Sequence, residues 1–352
     1  MSAAGIPSEN RAPRSVRALG LATASVFCAL AAGALGVTLL GGRHQPHIIL
    51  SLSPLSQPAA ESAPKHEAAA EAQPDVAVVP PVDKVIMAGH ALVADPVLTE
   101  NTQIGPLPRI ADDGRKPMRA YAAPAAAGKM RIAVVVSGLG ISAKATGAAL
   151  ASLPAAVTLG FAPYAGDVQH WVTQARGAGH EVLLEVPMEP FDFPDSDPGP
   201  HTLRAGSDEG ANAKRLNWAL SRFTGYAGVT NLLGQRFLGD ADALSPAMTQ
   251  LSRRGLYFLD NGAVTQTVSP QTASRLGAPF AKAGTELDTI QTALEIDHRL
   301  AQLEDEARAH GSAIGSGFLY PVTLDRIAAW SKGLAARGFV LVPVSAIITQ
   351  PK

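Results

Sequence analysis

The sequence predicts an α/β fold in which a mainly parallel sheet, open or closed into a barrel, is covered by helices. An apolar, β-branched run from Ile132 to Val136 stops at Ser137 and Gly138, as expected of a strand buried on both faces. Similar runs recur down the chain, separated by segments with the apolar spacing of one helical face. Ligands and catalytic groups of such folds lie at the carboxyl ends of the strands, so a site is expected beside Ser137.

The N-terminal segment predicts a membrane anchor. Arginines in residues 1–17 precede an uncharged run, residues 18–42, of about 25 residues, which is long enough to cross a hydrocarbon core of about 30 Å. The positive-inside rule places residues 1–17 in the cytoplasm and the main domain on the extracytoplasmic, periplasmic side. The alternative is a signal peptide cleaved after small residues such as Ala34. Both interpretations predict export.

Two segments of different composition precede the main domain. Residues 43–95 are rich in Pro, Ala, Ser and Glu without sustained periodicity, which indicates a linker. Residues 96–128 predict an extended lead-in strap, in which Asp113 and Gly114 form a turn signal between two short runs, as in a hairpin. The regular strand–helix pattern, residues 129–350, is the predicted globular domain.

The predicted elements follow one another in regular alternation. Three helices are predicted from apolar stripes: one behind Asp167, one behind Asp242, and a long one from Asp288 to His310. Their buried positions are Val168, Trp171, Val172 and Ala175 in the first, Leu244, Ala247, Met248 and Leu251 in the second, and Ala293, Ile296, Leu300, Leu303 and Ala307 in the third. The predicted strands are Arg131–Val136, Ala156–Phe161, Glu181–Val186, Ala227–Asn231, Leu256–Asp260, a run near Ala278–Phe280, Ser312–Gly315 and Phe339–Val342.

A long loop, residues 187–207, follows the third predicted strand and exceeds an ordinary strand–helix connection. Long loops at this end of a sheet form active-site walls or lids.

Composition and motifs exclude several classes of function. The net charge of −1 and the lack of a basic block interleaved with aromatics exclude nucleic-acid binding. The single cysteine, Cys28, lies in the predicted anchor, which leaves the globular domain no disulfide or catalytic thiol. Gly138, Gly140 and Ala143 match a dinucleotide fingerprint, but the second strand ends without its acidic partner. Val135 breaks the nucleophile-elbow pattern, so the Ser137 hydroxyl is expected to cap the turn.

Carboxylates are the better candidates for a site. Glu185 lies near the end of the third strand, Glu189 follows it, and Asp260 ends the fifth, so all three are placed to face the cleft. The histidines of the domain form neither H-x-x-x-H nor H-E-x-x-H, and hydrogen-bonded or solvated roles are favoured for each.

An ordered set of motifs resembles the divergent polysaccharide deacetylase family. The set spans residues 129–347, and its most specific piece is GHEVLLEVPMEP. The other pieces, in order, are VVVSGLG, VTLGFAPYA, PGPHTL, GVTNLLGQRF, RRGLYFLDN, GSAIGSGFLYPVTL and LVPVSAII. The resemblance implies a deformed (β/α) barrel of the polysaccharide deacetylase type. It also implies a divalent metal, held by Asp and His, that activates water against an acetylated glycan.

This chain lacks the residues that the resemblance implies for that chemistry. Where the family has Asp-Asp before Leu-Gly, the chain has Ser137 and Gly138, and Leu232 and Phe318 replace two histidines. Glu185 stands where many members carry a histidine, whereas Asp260 matches the family. Leu and Phe cannot ligate a metal and Gly cannot act as a base. The sequence therefore predicts no catalytic residue, no metal ligand and no cofactor.

The leading hypothesis is an exported, membrane-anchored, deacetylase-like domain that is catalytically degenerate. It would bind a cell-envelope glycan or an envelope protein in the cleft where the resemblance places the active site. Candidate cleft residues are Ser137, Glu185, Glu189, Asn231, Asp260 and Tyr320. One alternative is an active carbohydrate deacetylase with a divalent metal rebuilt on Glu185, Glu189 and Asp260. Another is a purely structural envelope protein.

Overall fold

The structure is a computed structural model that describes residues 94–349. The predicted cytoplasmic tail and anchor, and the predicted linker up to residue 93, lie outside the described residues. Within residues 94–349, none of the helices combines the length and the apolar composition needed to cross a membrane.

Eleven strands and eight helices form the described domain. The strands are β1 (Thr99–Thr102), β2 (Gly105–Pro108), β3 (Met130–Leu139), β4 (Thr158–Phe161), β5 (Val182–Met188), β6 (Gly228–Leu233), β7 (Tyr257–Asp260), β8 (Phe280–Lys282), β9 (Thr285–Glu286), β10 (Ser312–Phe318) and β11 (Phe339–Leu341). The helices are α1 (Pro117–Ala120), α2 (Ala143–Ser152), α3 (Val168–Gly177), α4 (Glu209–Leu220), α5 (Ala241–Arg253), α6 (Ser269–Leu276), α7 (Ala293–His310) and α8 (Pro321–Lys332).

Strands β3 to β11 form one parallel sheet in the order β8-β7-β6-β5-β4-β3-β10-β9, and β11 pairs with the first residues of β3. The sheet curls so far that one segment, residues 280–286, pairs with β7 through β8 and with β10 through β9. Between these pairings the N–H of Ala283 bonds Asp260 O at 2.9 Å and the N–H of Gly284 bonds Ile314 O at 2.9 Å. The predicted α/β class with a curled parallel sheet is confirmed.

Alternation of side chains along each strand separates an inner core from an outer one. On β3, Ala133 and Val135 belong to the inner core, together with Leu183 of β5 and Leu259 of β7. The neighbours that alternate with them, such as Val134, pack outward with the helices. Because Ser137 continues the alternation of Ala133 and Val135, it lies on the inner face at the carboxyl end of the sheet.

The predicted strands and helix stripes are found in the structure, with differences at the ends. The long helix begins at Ala293 behind an N-cap at Thr292, five residues later than predicted at Asp288, and Ala293 is exposed rather than buried. Asp240, rather than Asp242, caps α5. Asp167 stands at the N-cap of α3 but makes no capping hydrogen bond, since its backbone is left-handed with a φ of 49°.

The lead-in strap contributes to the core of the domain. Its hairpin joins β1 to β2 directly, so the turn at Asp113 and Gly114 is a separate one, closed by the Gly114 N–H and Ala111 O at 2.9 Å. Met118 and Tyr121 are buried in the inner core. The strap is thus integrated with the sheet.

A buried carboxylate, Glu181, ties the strap to the amino end of the sheet. Its Oε1 accepts hydrogen bonds from the Tyr257 hydroxyl at 2.8 Å and the Ser345 N–H at 3.0 Å. Its Oε2 accepts the Ala123 N–H of the strap at 3.3 Å. Burial raises the pKa of Glu181, and these hydrogen bonds oppose the increase. The carboxyl group therefore joins three separate parts of the chain.

Candidate functional site

The carboxyl ends of β3, β4 and β5 meet at a buried carboxyl group, Glu185, whose residue is 1% exposed. Glu185 alternates with Leu184 and Val186 of the outer core and so lies on the inner face. Its Oε1 accepts the N–H of Gly138 at 2.5 Å. Gly138 has a φ of +89°, a conformation that favours glycine, in the turn at the carboxyl end of β3, where the register with β4 shifts. The turn is therefore capped by Glu185, whereas the sequence predicted a cap from Ser137.

A glycine leaves room for two polar groups beside this turn. A Cβ atom built on Gly160 of β4 would lie 3.0 Å from Glu185 Oε1 and 3.0 Å from Ser137 Oγ. On the other side of Glu185, Thr230 of β6 is its register partner and is fully buried. Within the described structure the Thr230 Oγ1 has no hydrogen-bond partner. We call Ser137, Glu185 and Thr230 the mouth cluster.

The mouth cluster holds an acid without a basic partner in the described part of the chain. Burial raises the pKa of Glu185 to about 7, and the Gly138 N–H opposes that increase. The neighbouring groups on the inner face, Ser137, Gly160 and Thr230, carry no charge. Glu185 is consequently a carboxyl group that gains or loses its proton near neutral pH.

Glu189 holds the long loop rather than the mouth cluster. Its Oε2 accepts the Ala205 N–H at 2.7 Å, and its Oε1 lies 3.3 Å from Arg236 Nη1. The Glu189 N–H bonds Leu203 O at 2.9 Å. Both carboxylate oxygens therefore bind groups that hold the loop against the connection after β6.

Asn231 and Asp260 lie apart from the mouth cluster, because they alternate onto the outer face with Val229 and Phe258. Asn231 pairs with Asn261: its Nδ2 donates to Asn261 Oδ1 at 3.0 Å, and its Oδ1 accepts the Asn261 N–H at 2.9 Å. Asp260 Oδ1 accepts the Gly262 N–H at 3.0 Å, and its Oδ2 has no partner in the described structure.

These residues do not fit the metal that the resemblance implies. The positions of its ligands hold Ser137, Gly138, Leu232 and Phe318, and the Phe318 backbone N–H donates to Asp288 Oδ2 at 2.7 Å. Among residues 94–349, no three His, Cys, Asp or Glu side chains lie close enough together to hold a metal ion. The set proposed for a rebuilt metal site, Glu185, Glu189 and Asp260, is thus divided among three local roles.

Exposed apolar side chains gather on the loops at this same end of the sheet. Tyr320, the remaining predicted residue, is one of them, at 36% exposure. Phe191 of the long loop is 72% exposed, and Ile141, after β3, is 71% exposed. We call the full set the apolar ring: Ile141, Tyr164, Phe191, Ile290, Leu294 and Tyr320. Large apolar side chains left exposed at one end of a sheet are candidates for contact with a ligand.

Sequence reasoning missed five members of the apolar ring and two positions at the mouth, Gly160 and Thr230. The members of the apolar ring could have been found from the sequence, because each is a large apolar residue that follows a predicted strand or begins the next helix. Gly160 and Thr230 gave no comparable signal, because their roles depend on which strands are neighbours and in which register.

A groove of about 1570 Å³ in the described structure lies away from the strand ends. Residues of α4 and α5 line it together with the strap, and it includes no residue of the mouth cluster or apolar ring. Acids such as Asp242 and bases such as Arg253 alternate in its lining. Its mixed charge favours no class of ligand, so the strand ends remain the candidate site.

This chain is similar to a known protein family and to a solved structure, and both similarities support the fold described above. The divergent polysaccharide deacetylase family matches residues 134–348. The crystal structure of an uncharacterized protein from Agrobacterium tumefaciens C58 is 41% identical, with a TM-score of 0.68 over 69% of this chain and 99% of that chain. The uncharacterized protein YibQ of Escherichia coli K12 is 26% identical over 233 residues, which are 66% of this chain and 71% of YibQ. An uncharacterized protein of Haemophilus influenzae is 24% identical over 194 residues, 55% of this chain and 68% of its own.

Proposed function

Because this chain belongs to the divergent polysaccharide deacetylase family, we propose that it binds a cell-envelope glycan at the carboxyl ends of its strands without hydrolysing it. The observation that carries the proposal is the hydrogen bond between Glu185 and the Gly138 N–H. It commits one oxygen of the mouth carboxylate to the turn that the family would occupy with paired aspartates. No side chain at Gly138, Leu232 or Phe318 replaces the missing ligands, so water there gains no metal activation.

The apolar ring supports binding of a large ligand. Its members lie on the loops after β3, β4, β5, β9 and β10 and at the start of α7. They therefore lie at the same end of the sheet as the mouth cluster. Sugar rings have apolar faces as well as hydroxyl groups, and aromatic side chains such as Phe191 and Tyr164 offer apolar surface to them. A polymer lying across the mouth would cover side chains that are otherwise exposed to water.

The predicted anchor and linker complete the proposal. An uncharged helix at residues 18–42 would hold the protein in the membrane with the domain on the periplasmic side. A coil of about 50 residues spans roughly 40 Å, so it would allow the domain to reach a polymer beyond the membrane surface. Export in this orientation is part of what we propose.

We expect the full chain to be retained on insoluble peptidoglycan, and the double variant Ile141→Ala/Phe191→Ala to lose at least about tenfold in affinity. Burying one large apolar side chain contributes about 1.5–3 kcal/mol, and truncating two exposed ones leaves the core intact. Retention is measured by co-sedimentation over a range of polymer concentrations.

The matched control is Leu276→Ala, an exposed leucine at the end of α6 that lies outside the ring and is 37% exposed. It should bind as the wild-type chain does. Wild-type retention no greater than background would contradict glycan binding. Equal losses in the ring and control variants would contradict the placement at the mouth.

A further inference from the structure

We propose that the mouth cluster binds a primary ammonium group, so that the glycan it receives carries free amines on its amino sugars rather than N-acetyl groups. This inference rests on the proposed function, because it takes glycan binding at the mouth as given. It adds the chemical class of the sugar. Three features of the mouth cluster carry it: a missing counter-charge, a spacing between oxygens, and an unpartnered hydroxyl.

The missing counter-charge concerns Glu185. Buried carboxylates are normally paired with a cation or hydrogen-bonded several times, because an isolated buried charge is costly. Glu185 accepts a single hydrogen bond from the described residues, from the Gly138 N–H, and forms no ion pair with them. Burial removes this carboxylate from water and thereby raises its pKa. A ligand that brings a positive charge would supply what the protein does not.

The spacing concerns Glu185 and Ser137. Their oxygens Oε1 and Oγ each lie 3.0 Å from one point above Gly160, so they are at most 6.0 Å apart. No hydrogen bond joins them in residues 94–349. One nitrogen that donates to both at about 2.9 Å would span up to about 5.8 Å. This upper limit is compatible with one ammonium group that donates to both oxygens.

The unpartnered hydroxyl is that of Thr230, beside Glu185 on the inner face. Its Oγ1 is buried without a hydrogen-bond partner among the described residues, which is uncommon in folded proteins. An ammonium group has three donors; Glu185 and Ser137 offer acceptors on either side of Gly160, and Thr230 adds an unpartnered hydroxyl on the strand beside Glu185. An N-acetyl group has one N–H donor and one carbonyl acceptor, but it brings no positive charge to pair with the Glu185 carboxylate.

Binding of two oligosaccharides at pH 7, measured by titration calorimetry, tests the inference. The probes are a glucosamine hexamer and the corresponding N-acetylglucosamine hexamer, each titrated into the full chain and into the Glu185→Gln variant. We expect the wild-type chain to bind the amine form about 10- to 100-fold more tightly, as a charge-assisted hydrogen bond provides. Glu185→Gln keeps an acceptor for Gly138 but has no charge, so it should lose this preference.

Glu209→Gln is the charge-matched control, since Glu209 is exposed at the start of α4 and should leave the preference unchanged. Equal binding of the two hexamers by the wild-type chain, or a preference that survives in Glu185→Gln, would overturn the ammonium site while leaving glycan binding intact. Binding of neither hexamer, together with no retention on peptidoglycan, would overturn both proposals.

Discussion

Relative to the wild-type chain, the Glu185→Gln variant should gain about 3 kcal/mol in free energy of unfolding when the pH rises from 4 to 8. Burial raises the pKa of Glu185 from its ordinary value of 4.5 to about 7. Between the two pKa values, about pH 4.5 to pH 7, the unfolded chain has lost the proton and the folded chain still binds it. The free energy of unfolding of the wild-type chain therefore falls with rising pH across this window, by about 1.4 kcal/mol for each pH unit.

Glutamine cannot ionise and can still accept the Gly138 N–H, so the variant lacks this contribution. The measurement is urea unfolding of both proteins at intervals from pH 4 to pH 8, reported as the difference between the two curves. Glu181, whose pKa is also raised by burial, contributes equally to both proteins and cancels in the difference. A difference that stays constant with pH would show that Glu185 is not the isolated buried acid described above.

A larger loss of stability is expected at the other end of the sheet, from Glu181→Ala. The change leaves the Tyr257 hydroxyl and the N–H groups of Ser345 and Ala123 without their acceptor in a buried site. Each unsatisfied buried donor costs about 1–3 kcal/mol, so the free energy of unfolding should fall by about 4 kcal/mol or more. Since a typical domain has about 5–15 kcal/mol in total, this loss should be evident in the urea midpoint.

Glu181→Gln is the control for this prediction. Its carbonyl oxygen can still accept from Tyr257 and Ser345, so the loss should be about 1–2 kcal/mol. Similar losses in the two variants would mean that the side chain's volume, rather than its acceptors, stabilises the fold. An alanine variant within 1 kcal/mol of wild type would contradict the claim that Glu181 joins the strap to the sheet.

The sheet could be predicted because its strands are buried on both faces. In β3 and β5 continuous apolar runs mark the strands directly, and the helix stripes of α3 and α5 follow the helical period. The ends of the helices were harder to predict, because they depend on which residue caps the helix. Asp288 and Thr292 both precede the apolar stripe of α7, and Thr292 is the N-cap, so the helix begins at Ala293.

The candidate site could be predicted in position but only partly in composition. Ser137 and Glu185 were recognised because they lie close to the ends of predicted strands, and the structure places both on the inner face. Asn231 and Asp260 also end predicted strands, but the alternation of side chains directs both to the outer face, and a shift of one residue along a strand is enough to change the face. The partnership of Glu185 with the Gly138 N–H depends on three adjacent strands, which local sequence does not encode.

Acetate release from peptidoglycan during binding is the most direct test of the central claim that this domain binds glycan without deacetylating it. Full-length protein supplemented with Zn²⁺ is incubated with N-acetylated peptidoglycan, and free acetate is measured in samples in which the bound fraction is also determined. We expect a substantial bound fraction and acetate no higher than in polymer with Zn²⁺ alone. Acetate that increases with protein concentration and is abolished by a chelator would contradict the account and establish an active deacetylase.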